Sequence, residues 1–167
     1  MKITKLKIKN CRRGYAVLEL LFYIALFAVL SLVVIDAMIV MARSFKETTL
    51  QAELMQGGTM VERISREIRQ AYDIDVASTS IDLKLNTTGV NTAVEFKLVG
   101  SDIQFLENGA VTGNLNSSSI VITGLTFTQI TTVKGKAVKL FLTIQSSNDI
   151  SNRTQDFYDT VVLRGIY

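Results

Sequence analysis

The chain has 167 residues, of which 48% are hydrophobic, and its 18 Lys or Arg against 15 Asp or Glu give a formal net charge of +3. It has no His and a single cysteine, Cys11, so an internal disulfide is excluded, and the imidazole used by most zinc, acid–base and nucleophilic sites is missing. No cofactor, metal site or catalytic residue is expected. Six of the 18 basic residues lie in the first 14 positions, which leaves 12 against 15 acidic ones and no bulk charge to attract nucleic acid.

Residues 1–14, MKITKLKIKNCRRG, are basic and polar. The apolar excess behind the mean hydropathy of +0.30 follows at once, between residues 17 and 40. Sixteen Leu, Ile, Val or Phe side chains in that run favour a bilayer by about 5–10 kcal/mol. Glu19 and Asp36 oppose it by at most ~3 kcal/mol each, and both lie toward the ends, where the penalty is smaller. A helix over 17–40 would rise roughly 36 Å, enough for a hydrocarbon core of ~30 Å. The positive-inside rule places residues 1–14 in the cytoplasm and everything after Arg43 on the other side.

A secretory signal would end its apolar run in a small-x-small cleavage site, whereas this run ends VVIDAMIVMARSF and is too long. An unprocessed signal anchor fits the hydropathy. It does not account for a glycine directly after two arginines, with a glutamate five residues beyond it. The string Arg12-Arg13-Gly14-Tyr15-Ala16-Val17-Leu18-Glu19-Leu20-Leu21 resembles the prepilin signal of the type IV pilin-like family: basic leader, glycine, aromatic residue, small or apolar residues, glutamate, apolar helix.

That resemblance implies cleavage by a prepilin peptidase between Gly14 and Tyr15, N-methylation of Tyr15, and an assembly role for Glu19. Tyr15 departs from the family's usual phenylalanine but keeps the ring and adds a hydroxyl suited to the interface. A carboxylate in an apolar helix needs a positive partner. Cleavage would create one, the Tyr15 amine, which a neighbouring subunit can bring to Glu19. Many major pilins carry a kinking proline 21 residues after the new N-terminus. That position is Asp36 here, in a chain with no proline, which suits the minor subunits better.

No Gly or Pro interrupts 15–56, so the helix is expected to continue out of the bilayer. Leu50, Leu54, Gly57, Val61, Ile64, Ile68 and Ala71 form one stripe at helical spacing, a face to pack on a sheet. Glu62–Arg66 and Arg63–Glu67 are expected i,i+4 pairs on a solvated face, and Gly57-Gly58 is a place for a bend. The organisation read from the sequence is a leader over 1–14, a transmembrane half-helix over 15–42, an exposed amphipathic half over 43–73, and a β head over 74–167.

After Asp75 the pattern changes to period two with turn residues. Strands are expected over 81–85, 94–98, 103–106, 120–123, 125–130, 137–144 and 157–164. Asn86-Thr87-Thr88-Gly89 reads as a turn, and Asn108-Gly109 is a hairpin signal. Loops 114–119 and 146–153 are polar and expected to be exposed. The fold class is therefore α+β, a long N-terminal helix packed on an antiparallel sheet head in the pilin-like manner.

The string Val61-Glu62-Arg63-Ile64-Ser65-Arg66-Glu67-Ile68-Arg69-Gln70-Ala71, the strand Leu125-Thr126-Phe127-Thr128 and the final Thr160-Val161-Val162-Leu163-Arg164 resemble minor pilins and minor pseudopilins, particularly the J-type and W-type subunits. The resemblance implies a type IV pilus or type II secretion filament. Its expected partners are other pilin or pseudopilin subunits, a prepilin peptidase, an inner-membrane assembly platform and, before assembly, membrane lipid. The protein would sit in the cytoplasmic membrane with its head outside, then in a surface or periplasmic filament. A second class stays open: a membrane-tethered module that binds a surface, a protein or DNA through loops 114–119 and 146–153, with Lys134, Lys136 and Lys139 as its basic cluster.

Overall fold

A computed structural model describes residues 13–88, 92–133 and 135–164. Residues 1–12 of the basic segment, Gly89 of the expected turn and Lys134 lie outside them. Contacts divide the chain into two compact units, Met1–Lys46 and Glu47–Tyr167.

Helix α1 runs over Arg13–Gln70. In the first unit its Leu, Ile, Val and Phe side chains are exposed on every side, and none of its most apolar window is buried. By length and composition this helix can cross a membrane.

In the second unit α1 buries Leu50, Met60, Ile64, Ser65 and Ile68, with Leu54 and Val61 half-buried. The expected stripe is present, widened by Met60 and Ser65. The helix, expected to reach residue 73, ends at Gln70, and Ala71–Ile74 is strand β1. The strands that follow are β2 (Asp82–Thr87), β3 (Ala93–Val99), β4 (Asp102–Glu107), β5 (Ala110–Asn114), β6 (Ile120–Thr132), β7 (Gly135–Ser146) and β8 (Thr154–Val162). They form two antiparallel sheets where the sequence suggested one: a five-stranded meander in the order β1-β2-β3-β4-β5, and β6-β7-β8. The fold is thus α+β, a long N-terminal helix packed against antiparallel sheets.

Period-two alternation turns one face of β2, β3, β4, β6 and β7 into the core that also contains residues of α1. Leu83 pairs across to Phe96, and Phe96 to Phe105. The two rings lie 5.4 Å apart, tilted by 39°. On the second sheet Leu125 and Phe127 of β6 pair with Leu142 and Leu140 of β7, and all four are buried. One core contains residues of α1 and of both sheets.

Three local features differ from the expectations or go beyond them. The helix is not interrupted at Gly57-Gly58. Gly57 is buried because a Cβ there would meet Phe157 of β8, with Cζ at 2.7 Å, and Ile144 of β7, with Cδ1 at 2.8 Å. The glycine lets helix and sheet approach closely. Thr123-Gly124 does not separate two strands either. It is a bulge in the single strand β6, with the register shifting between Ile122 and Gly124. Finally, the two expected i,i+4 ion pairs are absent among the described residues. Arg66 lies 3.9 Å from Glu67, and the Arg63 guanidinium sits 4.8 Å above the Phe105 ring.

The hairpin signal holds. Asn108 (φ 51°) and Gly109 (φ 81°) both take the left-handed region, as a type I′ turn requires, and β4 pairs with β5 across it. Asn108 Oδ1 also accepts the Thr92 and Ala93 N–H groups at 3.0 and 3.1 Å.

Candidate functional site

The scissile bond implied by the sequence, Gly14–Tyr15, lies within α1. Glycine weakens a helix by about 1 kcal/mol. Tyr15 is 82% exposed.

Glu19 is exposed on the same apolar stretch, but it has a partner that the sequence reading missed. The Tyr23 hydroxyl donates to Glu19 Oε1 at 3.1 Å, one turn along. An i,i+4 spacing on a recognised helix was the available signal. Ser31 Oγ donates to the Phe27 carbonyl at 2.8 Å, so this hydroxyl too is satisfied within the helix. Asp36 is exposed.

The two loops read as exposed are so for most of their residues, but each is anchored to the fold by particular side chains. Asn116 is buried. Its Oδ1 accepts the Ile103 N–H at 3.0 Å, while its Nδ2 donates to the Ile120 carbonyl at 2.9 Å and to Asp102 Oδ1 at 2.7 Å. It thereby ties the start of β4 to the start of β6. In the other loop Ser146 and Asp149 are buried. Arg153 donates through Nε to Asp149 Oδ2 at 2.8 Å. Its two terminal nitrogens fork onto Glu47 Oε1 and Oε2 at 2.6 and 3.2 Å. Glu53 accepts from the Ser146 hydroxyl and from Asn148 Nδ2, the latter at 3.0 Å, and Gln56 Oε1 accepts from Ser117 Oγ at 2.9 Å. Side chains of α1 between 47 and 56 therefore hold both loops. The basic cluster is depleted as well, since Lys136 is paired with Asp73.

Arg153 and the N–H groups of Ser151 and Arg153 hold the Asp149 carboxyl at about 2, well below its ordinary value of 3.8. A carboxyl depressed on folding contributes stability above its unfolded pKa, ~3.9, and loses it as pH falls toward the folded value. The head is therefore expected to weaken between about pH 4 and pH 2 through this clamp. Arg153→Gln should be the less stable protein at pH 7 and should converge with wild type at the acid end, as read from thermal midpoints by circular dichroism across that range. Parallel curves would show that the clamp is not what acid releases.

Among the described residues no group of three or more His, Cys, Asp or Glu side chains is placed to hold a metal ion. Comparison with family models, with curated proteins and with solved structures finds no match to this chain. The fold itself defines a class: one long N-terminal helix, apolar and exposed in its first part and packed on an antiparallel head in its second, is the generic pilin-like architecture.

Proposed function

We propose that this chain is a structural subunit of a type IV pilin-like filament, a minor pilin or minor pseudopilin made as a membrane-inserted precursor. The observation that carries the reading is the change of environment along α1. From Leu50 onward α1 buries Leu50, Met60, Ile64 and Ile68 against the head and leaves Met55 outside, whereas the apolar side chains of residues 15–41 are exposed. A helix apolar all round needs lipid or other helices. A filament core supplies both in succession: bilayer before assembly, the helices of other subunits after it. Such an exchange of lipid for helix contacts is not opposed by a hydrophobic penalty.

In this reading a prepilin peptidase cuts between Gly14 and Tyr15 and methylates the Tyr15 amine. An assembly platform in the inner membrane then draws the subunit into the filament, and Glu19 neutralises the amine of its neighbour. The clamped loops favour a subunit head over a free recognition module, since both loops proposed for recognition are tied to α1.

The test is the mass and N-terminal sequence of the full chain expressed with an active prepilin peptidase. The expected product begins at Tyr15 and is one methyl group heavier than the bare cut chain. Protein that still begins at Met1 under those conditions would return the chain to a simple anchored domain.

A further inference from the structure

Glu19 and Tyr23 lie one turn apart on α1, so their side chains rise from the same stripe of the helix. Both are exposed, and a hydrogen bond of 3.1 Å joins them. A hydroxyl donating to a carboxylate belongs to the stronger, charge-assisted class of hydrogen bonds. In hydrocarbon no water competes for either group. The bond occupies only Oε1; Oε2 takes part in no hydrogen bond among the described residues.

We propose that Tyr23 is a positioning residue for assembly: it fixes the Glu19 carboxylate in one rotamer and leaves Oε2 presented to a neighbouring subunit's terminal ammonium. The proposal rests on the filament-subunit reading. A glutamate in an apolar stretch would otherwise sample several rotamers, and ordering it at the moment of contact would weaken the contact. Tyr23 does that ordering beforehand, within the chain. It also gives the carboxylate a donor while the subunit waits in the bilayer. The alternative use of a tyrosine near a membrane boundary is to anchor its ring at the headgroups with the hydroxyl in water. That use leaves Glu19 untouched.

The experiment compares wild type with Tyr23→Phe, which keeps the ring and removes only the hydroxyl. The full chain, ¹³C-labelled at glutamate and reconstituted in phospholipid vesicles, is measured by infrared spectroscopy. Subtracting the spectrum of Glu19→Gln isolates the Glu19 carboxylate band. The band is expected to shift in Tyr23→Phe. In cells carrying the assembly system, incorporation of Tyr23→Phe into sheared filaments is expected to fall about 10-fold, the loss of one hydrogen bond to a charged group, with cleavage after Gly14 unchanged. An unshifted band, or incorporation equal to wild type, overturns the proposal. Failure of the subunit reading looks different: the wild-type chain itself would then be neither cut nor incorporated.

Discussion

Gly57→Leu is expected to destabilise the head by about 3 kcal/mol or more, while Gly58→Ala, one residue away, should stabilise it. At Gly57 even a bare Cβ would stand against the Phe157 ring and 2.8 Å from Ile144 Cδ1. Ile144 is fully buried in the middle of the core and cannot retreat. Overpacking of this kind costs about 1–3 kcal/mol for a small intrusion, and leucine brings three further carbons into the same space. The ~1 kcal/mol gained by replacing a helical glycine does not offset it. At Gly58 the nearest atom to a new Cβ is Phe157 Cε1, at an ordinary 3.9 Å. There the helix-propensity gain stands alone, up to ~1 kcal/mol. Thermal unfolding of the full chain in detergent micelles, followed by circular dichroism, separates the two by opposite shifts of the midpoint. Two destabilised variants would mean that the pair serves helix flexibility and not close approach. Adding Phe157→Ala to Gly57→Ala should recover part of the loss, because it removes the ring that the new methyl strikes.

The same two glycines show where sequence reading stops. Gly-Gly in a helical pattern carries one local meaning, weakness, and supports a bend. The close approach that Gly57 permits, to a ring on a strand a hundred residues later, has no local trace. What was legible rested on periodicity. The 3.6-residue stripe from Leu50 to Ala71 and the alternation in β2, β3, β4 and β7 each report a buried face, with Leu54, Val61 and Leu98 half-buried at its margins and Ile81 left exposed. Strand β1 was hidden because Ala71-Tyr72-Asp73-Ile74 continues the helical stripe with no Gly or Pro to stop it. Pairing with β2 through a bulge overrides the local pattern. Strand β5 was hidden because it is solvent-facing along nearly its whole length and so shows no alternation.

The loops are exposed over most of their length, but three of their residues are buried. A polar loop residue is read as solvated, yet Asn116 and Asp149 are buried precisely because their side chains can satisfy backbone groups that the chain reversal leaves open. Their anchors on α1 are equally silent, since Glu47 and Arg153 are 106 positions apart. For the apolar half of α1 the balance is reversed. Composition alone identified an apolar helix whose side chains over 15–41 the structure leaves exposed.

In the filament we propose, Glu19→Ala should leave the amount of protein in the membrane unchanged and reduce its incorporation roughly 100-fold or more. Removing a carboxylate from an apolar helix only favours insertion, by up to ~3 kcal/mol on the insertion scale, so a loss at that stage is not expected. Assembly is where the carboxylate acts. Breaking a buried ion pair from one side leaves the other charge uncompensated, at about 3–5 kcal/mol, and each 1.4 kcal/mol is tenfold. Here the stranded charge is the neighbour's terminal ammonium. Glu19→Gln separates the two things the side chain does. It keeps the shape and an acceptor for the Tyr23 hydroxyl, 3.1 Å away in the wild-type chain, but carries no charge. Its incorporation should fall nearly as far as that of the alanine variant, because the ammonium needs charge as well as a hydrogen bond. The measurement is the ratio of subunit in sheared filaments to subunit in membranes, by immunoblot, for all three proteins. If the glutamine variant assembles like wild type, the contact at this position is polar packing, and the register of the subunits must be set elsewhere along the helix.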